Sequence, residues 1–121
     1  MTKGMDEKRV LCIRHVTQIT KLLQGKWALP ILCAMRNSPV RLSQLTRLIP
    51  AASKKALCAN LRALERAEIV ERRDMSDKVL HMEYSFSDDM RESLESFVDH
   101  LEGWGRTLNA KTEKTAGPSP E

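Results

Sequence analysis

The chain has 121 residues, a length that suits one domain able to bury a core without disulfide staples. Twenty lysines and arginines against 16 aspartates and glutamates leave a net charge of +4, and with 4% aromatic residues the apolar content is mostly Leu, Ile, Val, Ala and Met, which suits helices. No run of about 18 apolar residues offers a membrane span and no signal-peptide pattern opens the chain, so a cytoplasmic protein without membrane partners is expected. Its three cysteines, Cys12, Cys33 and Cys58, are odd in number and far apart, which favours reduced thiols over a disulfide framework.

Residues 1–9 read as a flexible N-terminus and 10–109 as the folded domain. The first periodic segment is Val10 to Leu23, where Val10, Ile13, Val16, Ile19 and Leu23 recur at helical spacing. Gln24 and Gly25 break it. A second helix is expected from Lys26 to Met35, with Pro30 in its first turn, where a missing N–H has little intrahelical work. Cys33 is expected in the core. Asn37-Ser38-Pro39 reads as a turn, Val40-Arg41-Leu42 as a very short strand, and Ser43 as the cap of a short helix from Gln44 to Ile49.

Pro50-Ala51-Ala52 leaves only a few residues before the next helix, the spacing of a helix-turn-helix. That helix carries Leu57, Leu61 and Leu64 at separations of four and three, so they fall on one stripe that packs inward. Lys55, Arg62 and Arg66 point away from the stripe, with Lys54 and Cys58 on its flanks. Ser53 suits the N-cap, because its hydroxyl can accept a first-turn N–H. Two lysines occupy that first turn where an acid would favour the helix dipole, an arrangement a phosphate would compensate. A solvated basic face on an ordinary helix is the alternative for this segment taken alone.

Ile69 to Arg73 and Val79 to Ser87 are expected strands joined by a polar tip at residues 74–78. Leu80, Met82, Tyr84 and Phe86 alternate with His81, Glu83 and Ser85, which gives the second strand one buried face. Ser87 or Asp88 can cap a last helix that carries Met90, Leu94, Phe97, Leu101 and Leu108 on one side. Residues 110–121, ending Ala-Gly-Pro-Ser-Pro-Glu, read as a disordered tail.

Charge is unevenly placed along this order. Residues 1–40 carry seven basic and two acidic side chains, 41–73 carry eight and three, and 74–121 carry five and eleven. A basic first two-thirds implies a face for a polyanion, with an acidic element kept away from it. Enzymatic readings find no glycine-rich phosphate loop and no Gly-x-Ser-x-Gly elbow. Cys12 and His15 form a Cys-x-x-His pair with no second closely spaced pair to complete a zinc site, so neither metal nor cofactor is expected.

The fold class is therefore mainly α with a small β-wing, a winged helix-turn-helix. At this point Gly25-Lys26-Trp27, Ile31-Leu32, the run Pro39 to Leu45, Ile49-Pro50, Ser53, Lys55, Leu57, Leu61 to Glu65, Val70-Glu71-Arg72 and Glu83 to Ser87 stand in order. The chain resembles the HxlR family of winged helix-turn-helix bacterial transcriptional regulators over about residues 22 to 105. The resemblance implies a homodimer built by the N- and C-terminal helices on a palindromic operator in double-stranded DNA. Apolar stripes on both terminal helices independently call for a partner surface. A winged-helix module that binds another protein and has lost DNA binding is the rival reading.

Site expectations follow residue by residue. Lys54 and Lys55 suit a guanine edge or a phosphate, Ser43 and Ser53 suit phosphate contacts, and Arg62 suits the backbone unless it pairs with Glu65. Cys58 is expected as a small contact or spacer. Many relatives carry prolines in the wing tip and an arginine two residues before the Glu-Tyr pair, where this chain has His81 and no tip proline. Lys78 is then the main wing cation and His81 a pH-dependent one, binding more tightly as pH falls if it faces phosphate. Several relatives sense oxidants or electrophiles through a cysteine on the N-terminal helix, which Cys12 resembles, although Ile13 stands where the common pattern has proline. Lys8, Arg9 and Arg14 near Cys12 in sequence would favour a reactive thiol open to an electrophile or small-molecule effector, and a small packing residue is the alternative reading.

Overall fold

A computed structural model describes residues 3–75 and 81–116. In chain order they form α1 (Lys3–Leu22), α2 (Ala28–Ala34), α3 (Leu42–Leu48), α4 (Lys54–Arg66), β1 (Val70–Asp74), β2 (Met82–Phe86), a single 3-10 turn (Asp88–Met90) and α5 (Arg91–Ala116). The expected order holds. The tip residues 76–80, with Lys78 among them, lie outside the described residues.

The core gathers one face from each element of the middle of the chain. Ile31, Leu32 and Met35 of α2 and the residue after it meet Leu45 of α3, Leu57, Leu61 and Leu64 of α4, Val70 and Phe86 of the strands, and Leu94 and Val98 of α5. The α2 stripe is Ala28, Ile31, Leu32 and Met35, a spacing of three, one and three that keeps one helix face inward. Cys33 lies about 200° around the helix from Ile31 and is exposed, which corrects its expected place in the core. Pro30 stands in the first turn of α2 as its chemistry requires. Gly25, whose carbonyl accepts the Ala28 N–H at 3.1 Å, abuts α4 closely: a Cβ there would lie 2.5 Å from Asn60 Oδ1. Close approach explains the glycine.

The expected strand at residues 40–42 contracts to one residue. Val40 exchanges both backbone hydrogen bonds with Tyr84, at 2.9 and 2.8 Å, and pins the base of the wing to the segment entering α3. Arg41, not Ser43, is the N-cap of α3, and the Gln44 side chain accepts the Arg41 N–H at 2.8 Å. A long glutamine at the third helical position reaches back to the cap, so Ser43 falls inside the first turn. The α3–α4 turn closes through Ala52 N–H to Ile49 C=O at 3.1 Å, with both residues buried.

At its far end α4 finishes in a Schellman motif. Ile69 N–H reaches Leu64 C=O at 3.0 Å and Glu68 N–H reaches Glu65 C=O at 2.9 Å, while Glu68 takes the left-handed φ of 61°. Leu64 and Ile69 are both buried, the apolar contact that accompanies this motif. Register in the wing pairs Val70 with Phe86 and Arg72 with Tyr84. Burial does not alternate strictly along β2, because Ser85 is buried beside Phe86 at the base of the hairpin. Ser87 does not cap the last helix with its side chain: its hydroxyl donates to Glu68 C=O at 2.7 Å.

Both terminal helices are longer than periodicity implied. α1 begins at Lys3 and not at Val10, and α5 continues to Ala116, past residue 109. Residues 4–21 are exposed, among them Val10, Ile13 and Val16, and so are Trp104 and Leu108 on α5. α1 meets the body at its end, where Leu22 and Leu23 rest on the core and Ile19 borders an apolar cleft of about 230 Å³ with Leu32, Ile69 and Phe97.

Candidate nucleic-acid interface

Helix α4 presents two unlike faces, a consequence of its leucine spacing. Leu57, Leu61 and Leu64 are fully enclosed, while Lys54, Lys55, Ala59, Arg62 and Arg66 face solvent. Ser53 caps the helix as expected, its Oγ accepting the Ala56 N–H at 3.0 Å. Its first turn holds no acidic residue. Lys54, Lys55, Arg62 and Arg66 make no ion pair among the described residues, so the outward face carries uncompensated positive charge next to a positive helix end.

Arg62 does not pair with Glu65. The Glu65 carboxylate instead takes Arg72 of β1 at 3.2 Å, because the wing strand crosses the last turn of α4 and brings a second guanidinium within reach. Arg62 is left available, and Arg62, Glu65, Arg66 and Arg72 line a shallow recess of about 360 Å³. Tyr84 stands opposite Arg72; burial raises the Tyr84 pKa above its ordinary value, with the Arg72 charge opposing the shift. Cys58 is half-buried on the flank of α4.

A larger cleft, about 510 Å³, opens between the starts of α3 and α4 and the second wing strand. Arg41, Leu42, Ser43, Lys54, His81, Met82 and Tyr84 line it. Four of the expected site residues thus fall in two neighbouring groups: Ser43, Lys54 and His81 around the cleft, Arg62 at the recess. Arg41 and Arg72 were not singled out from sequence. The signal for Arg41 was present in Gln44, whose capping reach makes Arg41 the residue at the mouth of α3. His81 is half-buried with its Nε2 3.9 Å from Glu83, so an acid already stands beside the wing imidazole.

Cys12 is exposed on α1, outside the helix-turn-helix. Arg9, one of the cations near it in sequence, is directed to Met5 and Asp6, at 3.5 and 4.0 Å. Among the described residues no group of three or more His, Cys, Asp or Glu is placed to hold a metal, and no helix is long and apolar enough to cross a membrane.

Residues 22–113 match the model of the HxlR-like helix-turn-helix family, a span that takes in the helix-turn-helix, the wing and most of α5. The chain belongs to that family. Among its relatives, the uncharacterized HTH-type transcriptional regulator YkvN of Bacillus subtilis (strain 168) is 35% identical over 98 residues, 81% of this chain and 80% of YkvN. YtcD of the same organism, another HTH-type transcriptional regulator, is 35% identical over 85 residues, 70% of this chain and 67% of YtcD. In structure the chain is similar to the redox regulator HypR in its reduced form, with a TM-score of 0.72 and 25% identity, covering 82% of this chain and 97% of that one. As a member of the HxlR-like family the protein is a DNA-binding transcriptional regulator of the winged-helix type, not an enzyme.

Proposed function

We propose that two copies of this HxlR-like regulator pair through α1 and α5 and read a palindromic operator with the two α4 helices. The observation that carries the reading is the start of α4, where Ser53, Lys54 and Lys55 stand at an exposed helix end beside the cleft that Arg41, Ser43 and His81 share. A DNA phosphate supplies the negative charge this end lacks, and its oxygens can take N–H groups of the first turn. Lys55 then reaches the groove floor and Lys54 the backbone in the cleft. Ser43 and Ser53 hold register, Cys58 limits how closely α4 approaches, and Arg62 contacts phosphate further along. His81 lies on the wall of the same cleft with Glu83 beside it.

The dimer reading is supported by the apolar side chains that α1 and α5 leave exposed, including Ile13, Val16, Trp104 and Leu108. Twofold symmetry places the reading helices about 34 Å apart or a multiple of that, in successive major grooves. The exposed Cys12 thiol, together with the likeness to a redox regulator, supports tuning by an oxidant or electrophile. Alkylating Cys12 is then expected to change DNA affinity.

Sequencing genomic fragments selected by the purified protein tests binding, palindromy and spacing together. A DNA-binding dimer with about six to ten phosphate contacts loses roughly three to five decades of affinity between 50 and 200 mM salt. Lys55→Ala is expected to weaken binding to the selected operator. Indifference to any duplex over random competitor refutes the reading.

A further inference from the structure

We propose that Glu95 and Asp99 are positioning residues that fix the angle of α5 on the DNA-reading body and thereby set the half-site separation the regulator accepts, an inference that rests on the dimer reading above. α5 has 26 residues and extends about 39 Å. Its first part is anchored, with Leu94 and Val98 buried, Phe97 partly so and Met90 of the preceding turn packed against the same core, while Trp104 and Leu108 beyond are exposed. Apolar burial resists separation but is non-directional, so it leaves the helix free to swing. From Asp99 to Leu108 is about 14 Å along the axis, and a swing of about 15° moves Leu108 by about 3.5 Å, close to one base-pair step.

Two directional contacts oppose that swing. The Glu95 carboxylate accepts the backbone N–H of Asn37 at 2.9 Å, and Arg36 donates from Nη2 to Asp99 Oδ1. Glu95 and Asp99 are four residues apart, so one face of α5 grips two consecutive residues where α2 ends. Asn37 has a left-handed φ of 69°, so the chain turns away just after α2, and its N–H lies beyond the helix, where Glu95 takes it. Arg36 is enclosed down to Nε, which has no partner among the described residues, so Asp99 holds the guanidinium by its tip. At its root α5 is tied again, Arg91 donating to Phe86 C=O at 3.0 Å and to Asp88 at 2.8 Å. Two carboxylates against one guanidinium at the negative end of a helix add little stability; their contribution is the bearing of α5.

The test compares the full chain with Glu95→Ala/Asp99→Ala and with Glu95→Gln/Asp99→Asn, which keeps both acceptors but removes the charge. Affinities are measured on a duplex with one selected half-site, on two half-sites at the selected spacing, and on the same pair moved by one or two base pairs. Sedimentation monitors self-association. For the wild type each base pair of displacement is expected to cost about tenfold in affinity. In the alanine pair that loss falls below about threefold, with single half-site affinity and self-association unchanged, and the Gln/Asn pair retains most of the discrimination. Wild-type discrimination in the alanine pair overturns the proposal. Equal loss in the Gln/Asn pair also overturns it, since charge rather than geometry would then be responsible, as does a parallel drop in single half-site binding. A wild type indifferent to spacing overturns the dimer reading and this proposal together, and so is distinguishable from a spacing-selective wild type matched by the alanine pair.

Discussion

Replacing Ser53 by Asp is expected to move stability and operator affinity in opposite directions. Aspartate caps a helix about as well as serine, so the hydrogen bond from Ala56 N–H, now 3.0 Å to Ser53 Oγ, is kept. The new carboxylate sits at the positive end of α4, beside Lys54 and Lys55, which no acid in that turn offsets. Such a charge contributes about 0.3–1 kcal/mol, a rise of roughly 1–5 °C in Tm for a domain of this size. Near a bound phosphate the same carboxylate is repelled. At a separation of about 6 Å the repulsion is about 0.7 kcal/mol in a water-like medium and about 3 kcal/mol at an effective dielectric constant of 20, so affinity per half-site falls about 3- to 100-fold. Ser53→Asn keeps the cap without the charge and is expected to bind nearly as the wild type does. Thermal melts and gel-shift titrations on the selected operator measure both quantities. Unchanged affinity in the aspartate variant, or an equal loss in the asparagine variant, means that the start of α4 does not face phosphate.

Gly25→Ala is expected to cost about 1–3 kcal/mol, since the added methyl meets Asn60 Oδ1 while Asn60 Nδ2 is held by Ala56 C=O at 2.9 Å. Adding Asn60→Ala removes the obstacle, so a double-mutant cycle in urea is expected to show strong coupling; additive costs would refute the contact. Glu68→Gly relieves a left-handed residue at the end of α4 and is expected to stabilise the fold by about 0.5–1 kcal/mol, read as a higher urea midpoint at constant slope. Asp88 has its pKa lowered by hydrogen bonding to Arg91 and by that cation's charge. Its folded value lies below its unfolded one, so its stabilisation is present above the unfolded pKa and is lost as pH falls through the folded one. Asp88→Asn is accordingly expected to flatten the acid limb of stability against pH; an unchanged limb would remove Asp88 from the acid response.

The middle of the fold was legible because its signals are local. Leucines at separations of four and three, a serine before them and a short Pro-Ala-Ala link are enough to place α4 and the turn ahead of it. Terminal lengths were less legible, because α1 keeps its apolar side chains exposed and its first residues, Lys3 to Arg9, are mostly charged, leaving little periodicity before Val10. Ser43 as the cap of α3 failed for a related reason: a glutamine's reach decided the matter, and that reach depends on backbone direction at Arg41. Cys33 was misplaced because polarity alone does not say which side of a short helix is inward. Pairing across elements was the hardest part. Glu65 finds Arg72 rather than Arg62 because the wing strand returns over the last turn of α4, a contact no spacing along the helix encodes.

The separation of the two faces of α4 has a consequence for how such a regulator diversifies. Lys54, Lys55, Ala59, Arg62 and Arg66 are exposed while the three leucines are buried, so that set can be exchanged as a cassette at little cost to the scaffold. Under the proposed reading, retargeting to a new promoter sequence starts on the solvent side of this helix, and a grafted stripe from a paralogue is a natural unit for engineering altered operator choice.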